Sequence, residues 1–109
     1  MSNKYSSFKT YKQTLSKRKL VNEKFGIDSN FKWHNDPRQF FISLARYKFV
    51  AKMLQKKKNV LEIGCGDGFN SRIVKQEVEN LEITDNGKIL KKYAKITNSK
   101  KWKTKFFEH

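Results

Sequence analysis

The stretch "NVLEIGCGDGFNSRIV", residues 59–74, constrains what this chain can fold into more than any other. Three of the chain's five glycines stand at alternate positions there: Gly64, Gly66 and Gly68. A short apolar run, Asn59–Ile63, leads in and a helical pattern follows over 69–76. The segment therefore reads as strand, sharp loop and helix. One glycine would suit a ligand-free turn. Three in alternation suit close approach of a ligand to bare backbone, because no Cβ stands in the way. A loop that feeds a helix start also aims free N–H groups and the positive dipole end at whatever binds.

The rest of the chain arranges itself around that unit. Residues 1–9 read as a frayed polar tail, and 10–24 as a weakly amphipathic helix whose pattern carries Tyr11, Leu15, Val21 and Phe25, with Gly26 as its stop. "GIDSNFKWHND" reads as a loop. Asn35 or Asp36 then caps a helix with Pro37 at its first position. In "PRQFFISLARYKFVAKMLQKKK", Phe40, Phe41, Leu44, Tyr47, Val50, Ala51 and Leu54 form one broad apolar face. The three closing lysines suit helix termination and solvation better than a phosphate patch. Downstream, "NLEITD" reads as a strand, "GKILKKYAKI" as a helix clustering Ile89, Leu90, Tyr93 and Ile96, and "WKTKFFE" as a strand. Strand, helix, strand, helix, strand implies parallel pairing. The expected fold class is thus α/β, an incomplete Rossmann-like parallel sheet of about three strands with an N-terminal helical extension. Residues 1–30 would be tail and helix, and 31–109 the partial domain.

Charge brings in other functions. The formal net charge is +15, which invites nucleic acid as a partner. Yet only Arg18, Arg38, Arg46 and Arg72 among the 25 basic residues are arginine, the better reader of phosphate and base edges. Lysine here accompanies abundant Asn, Ile and Phe, a mix that AT-rich coding yields without any binding role. A single cysteine, Cys65, precludes an internal disulfide and fits a reducing compartment. His34 and His109 beside it are too few for a Cys/His zinc site, so no metal is expected. "MSNKYSSFKTYK" has no apolar leader core, and no window approaches about 20 apolar residues. A cytoplasmic protein without membrane contact is the expectation.

The identity of the ligand turns on spacing. A dinucleotide loop is G-x-G-x-x-G/A, whereas here the pattern is G-x-G-x-G and Phe69 fills the slot of the third small residue. That disfavours NAD or FAD and a dehydrogenase fragment, and no G-K-[ST] supplies a P-loop. Glu62, two residues before Gly64, would repel a pyrophosphate and attract an ammonium. At these residues the chain resembles a known family. "VLEIGCGDGFNSRIV" resembles motif I, E/D-x-G-x-G-x-G, of the class I S-adenosylmethionine-dependent methyltransferases. "LEITD" resembles their second strand, closed by an acid, Asp85. "WHNDPRQFFISLARYKFVAKMLQKKKNVLEIGCGDGF" is similar to small bacterial members, so the likeness spans residues 31–85.

The resemblance implies S-adenosylmethionine as cofactor. Glu62 would orient its methionine end near the amino group, and the backbone of Gly64, Cys65, Gly66 and Gly68 would run beside that portion. Asp85 would accept from the ribose hydroxyls. Arg46 could reach the cofactor carboxylate, or be an exposed helix arginine without a ligand. Cys65 reads as a small loop residue with no base to activate it. Asp67 reads as a turn former, and Trp33 and His34 as lining a substrate mouth or shielding the core. The family sheet has seven strands in the order 3-2-1-4-5-7-6, and this chain ends where the third would. It is therefore expected to be a truncated or split methyltransferase acting on an unknown, small-molecule acceptor. Its sheet would be completed by a C-terminal half or a partner chain, and no catalytic residue is legible. "NGKILKKYAK" departs from the acidic pattern of the nearest relatives, which bears on the adenine side. The competing expectation is a non-catalytic, lysine-rich module binding nucleic acid or a partner chain through its open edge.

Overall fold

A computed structural model of the chain describes residues 4–20, 25–96 and 104–106. The chain is α/β. Three parallel strands, β1 (Asn59–Ile63), β2 (Asn80–Thr84) and β3 (Lys105–Phe106), lie in the order β1-β2-β3, an incomplete Rossmann-like layout. β1 and β2 pair in register from Asn59 opposite Asn80 to Ile63 opposite Thr84, and Ile83 of β2 lies opposite Phe106. Both longer strands begin at an asparagine and are short apolar runs, as the sequence pattern predicts. The rest of the expected strand "WKTKFFE" lies outside the described residues, apart from Thr104.

The described residues include five helices: α1 (Lys4–Lys17), α2 (Ile27–Asn35), α3 (Pro37–Met53), α4 (Ser71–Lys75) and α5 (Lys88–Ile96). Two of them correct the sequence reading. α1 begins at Lys4, inside the expected tail, because no glycine or proline interrupts the chain before Gly26 and the polar residues there are compatible with helix. Its Phe8, Tyr11 and Leu15 are exposed, and Val21 lies outside the described residues. α2 occupies the expected loop. Its local support is an Asp28–Lys32 ion pair at 2.8 Å. The decisive support comes from a distant residue of the glycine loop. α3 starts as predicted, with Asp36 accepting the Gln39 N–H at 3.4 Å and Pro37 in the first turn. It stops before the three lysines. Lys56 takes φ 66, and its N–H bonds the Glu77 carbonyl at 2.8 Å, turning the chain into β1.

The core is the cluster Ala51, Cys65, Val74, Val78, Leu81, Ile83 and Ala94, with Tyr47, Leu54, Val60, Ile73 and Phe106 against it. A second group of rings, Phe25, Trp33, Phe40, Phe41 and Phe69, joins α2, α3 and the loop, with centroids 4.8–6.2 Å apart. Of the apolar face expected for α3, Phe40, Leu44, Tyr47, Ala51 and Leu54 face inward, whereas Phe41 and Val50 are exposed. Ile42, Phe49 and Met53, outside that expected face, form an exposed stripe with Val50; Phe49 and Met53 are each 67% accessible. Sharing that openness, Leu61 and Ile63 project from the sheet face opposite the core and are 51% and 78% accessible. Among the described residues, no helix is long and apolar enough to cross a membrane.

Candidate functional site

The loop after β1 stays tied to the sheet as it turns. Gly64 and Cys65 both donate their N–H groups to the Thr84 carbonyl, at 2.8 and 3.0 Å. The chain then passes Gly66 (φ 63) and Gly68 (φ 77) in the left-handed region that favours glycine. The two serve different ends. A Cβ on Gly68 would meet Ala94 of α5 at 3.1 Å, so this glycine lets helix and loop pack. A Cβ on Gly66 would meet nothing within 4 Å: its bare face opens onto free space. Gly64, φ 82, is open in the same way.

Acidic side chains hold this shape. Asp85 is buried; its Oδ2 accepts the Gly66 N–H at 3.0 Å and its Oδ1 the Gly87 N–H at 2.8 Å. Asp67, read from sequence as a turn former, is also buried and accepts four bonds. Oδ2 takes the N–H groups of Asp28 and Ser29 at 3.1 and 2.8 Å; Oδ1 takes the Ser29 hydroxyl and the Phe69 N–H, both at 3.1 Å. Asp67 is thus the N-terminal cap of α2, supplied from the glycine loop. Gly26 makes room for it, since a Cβ there would lie 2.7 Å from the Asp67 carboxyl carbon. The contact crosses the expected boundary between residues 30 and 31 and seats α2 beside the loop.

Glu62 is held on both oxygens, by the Tyr47 hydroxyl and by Ser71 Oγ at 2.5 Å. Burial, then the Glu62 charge, pushes the Tyr47 phenol well above its ordinary range, so it remains the donor. Glu62 lines an apolar cleft of about 290 Å³ beside α3 and β1 that the glycines do not border. Burial, with Glu62 and Asp85 nearby, pushes the Cys65 thiol up to about 12. It stays protonated at neutral pH and serves as a core residue. The following helix begins at Ser71 instead of 69 and has only five residues, so it offers far less dipole than the sequence suggested.

Two clefts meet at the loop. One, about 210 Å³ and polar, is bordered by Lys32, Arg46, Asn70 and the backbone of Gly64 to Asp67. The other, about 520 Å³ and mainly apolar, is bordered by Ile27, Phe31 and Leu90. Asp28 and Gly66 line both. Arg46, exposed on α3, lines the polar cleft with the glycines, while Glu62 and Asp85 border neither cleft. Trp33 stacks edge-on to Phe40 at 5.7 Å and helps cover the core; His34 is exposed and lines neither cleft. Asp28, Lys32 and Asn70 were not singled out from sequence. The one local hint was the acid–base pair four residues apart in "DSNFK". No protein-family model matches the chain, and no curated protein matches it.

Proposed function

We propose that this chain binds S-adenosylmethionine in the two clefts that meet at Gly66 and belongs to methyl-transfer chemistry of the class I type. The observation that carries the reading is Gly66 itself. A side-chain-free residue with open space above it lines a polar, cation-bearing cleft on one side and an apolar one on the other. A ligand with a charged amino-acid end and a flat heteroaromatic end fits that junction; the G-x-G-x-G spacing, with Phe69 in the slot of the third small residue, disfavours a dinucleotide.

When bound, the cofactor supplies an electrophilic methyl group on its sulfonium. What this chain's residues contribute is placement. Asp85 fixes the Gly66 N–H and so the loop's curvature. Asp67 fixes α2, whose Ile27 and Phe31 form the apolar wall. Glu62 locks Tyr47 of α3 and Ser71 of α4 behind the loop. Preorganisation of this kind is what an in-line transfer needs from a protein. Titration calorimetry with S-adenosylhomocysteine tests the reading. Saturable heat that disappears in Gly66→Val, with the circular dichroism spectrum kept, supports it. Absence of heat with well-folded protein refutes it.

A second reading has its own observation. The exposed Ile42, Phe49, Val50 and Met53 stripe and the bare Leu61 and Ile63 favour a protein partner at this face; a nucleic acid would call for cations there. Tight nucleic-acid binding that is steeply salt-dependent and indifferent to Gly66→Val would oppose both readings.

A further inference from the structure

Resting on the second reading above, a protein partner at the bare face, we infer that the outer groove of α3 docks an amphipathic helix whose flanks are acidic. Side chains four apart form rows along a helix. On the outward side of α3, Ile42, Arg46 and Val50 make one row and Phe41, Ala45, Phe49 and Met53 the next, all of them exposed. Between the rows runs an apolar groove of about 590 Å³, where the small Ala45 leaves depth. The rows of a second helix fit such a groove, seating residues at i, i+3, i+4 and i+7. From Phe41 to Met53 the rows extend about 18 Å, a little over three turns.

Charge selects the partner. From Pro37 to Lys58 the chain has two arginines and five lysines and no Asp or Glu. Arg46 lines the groove itself; Arg38 lies one turn before Ile42, and Lys56, Lys57 and Lys58 follow the helix end. None of these five forms an ion pair among the described residues. The adjoining cleft between α3 and β1 shares Arg46 and Val50 with the groove and holds one carboxylate, Glu62, whose oxygens Tyr47 and Ser71 occupy. Carboxylates flanking an incoming helix answer the free cations, and its apolar row covers Phe49 and Met53. Each other occupant leaves something unmet. A second copy would set cation against cation along acid-free rows. A nucleic acid would neutralise the charges and leave Phe49 and Met53 in water. An anionic bilayer would also have to take in β1, which ends the sheet and borders the adjoining cleft, and hydrocarbon satisfies no backbone N–H or C=O.

Fluorescence anisotropy on the full chain tests this with three labelled helical peptides of about 18 residues. One has a row of Leu flanked by Glu, one the same row flanked by Lys, and one the Glu flanks with the Leu row changed to Ala. The first is expected to bind about tenfold tighter than either other, and to weaken as salt rises. Phe49→Ser combined with Met53→Ser, both at exposed positions, should erase that preference with the circular dichroism spectrum kept. Arg38→Ala should weaken the Glu peptide less, and leave the Lys peptide no weaker. Equal binding of the Glu and Lys peptides, lost in the double variant, leaves a partner at this face and overturns its acidic character. If no peptide binds the folded chain, or binding ignores the double variant, the partner reading falls and the inference with it. A dimer in dilute buffer that the double variant dissolves overturns the inference in favour of a second copy. Phosphatidylserine-containing vesicles that bind more tightly than the Glu peptide, and are released by the double variant, overturn it in favour of a bilayer.

Discussion

The carboxylate of Asp67 accepts the backbone N–H of Ser29 at 2.8 Å, joining residues 38 positions apart. Through that bond the tip of the glycine loop becomes the cap of a helix that no local signal starts. Asp67→Ala would leave two helix N–H groups, the Ser29 hydroxyl and the Phe69 N–H without their acceptor. The expected loss is about 2–4 kcal/mol, since bonds to charged acceptors contribute roughly 1.5–3 kcal/mol each and are not additive. Asp67→Asn should lose less. Urea denaturation followed by circular dichroism measures both.

Gly68 and Gly66 should respond to alanine to different degrees. Gly68→Ala sets a Cβ 3.1 Å from Ala94 in addition to the left-handed strain, so a large drop in thermal midpoint is expected. Gly66→Ala meets no atom within 4 Å and carries the left-handed strain alone, about 1–2 kcal/mol. The fold should survive and affinity for S-adenosylhomocysteine should fall. Differential scanning fluorimetry paired with calorimetry separates the two.

Alkali should loosen this protein. Burial raises both the Cys65 thiol, ordinarily 9.0 and here about 12, and the Tyr47 phenol. Each group keeps its proton to higher pH folded than unfolded. The stability linked to them is complete below their ordinary values and is lost as pH climbs from about 9 toward 12. Urea midpoints should therefore hold near neutrality and fall above pH 9, with Cys65→Ala making the fall shallower. In native protein at pH 8 only about 10⁻⁴ of the thiol is ionised, so thiol reagents should react on unfolding and hardly before.

Lys56, in the turn that follows α3, has φ 66, a conformation that disfavours a side chain. Lys56→Gly should raise stability by up to about 1 kcal/mol, the left-handed cost outweighing glycine's extra entropy when unfolded. A rise of roughly 4–8 °C in thermal midpoint per kcal/mol makes the change measurable.

These cases mark what was legible in the residues themselves. Both longer strands and the bend between β1 and α4 follow from local chemistry: short apolar runs, then glycines that accept positive φ without strain. α3 was legible as a helix, and most of its inward stripe with it; Phe41 and Val50 were expected there and are exposed, because they are as apolar as the residues facing the core. α2 was hidden because its cap is Asp67, and nothing in "GIDSNFKWHND" announces a partner so far along the chain. Glu62 and Asp85 stood out as acids flanking the glycines. Their partners, Tyr47 and Ser71 for one and the Gly66 and Gly87 N–H groups for the other, are set by tertiary packing.

The bare stripe of α3 makes the dispersal of this protein a matter of ionic strength. Copies bearing fifteen surplus positive charges repel one another over about 10 Å in 0.1 M salt, a reach that shrinks to about 3 Å at 1 M. With that repulsion screened, Phe49 and Met53 lose their electrostatic guard, and concentrated brine should cloud a solution that dilute buffer keeps clear.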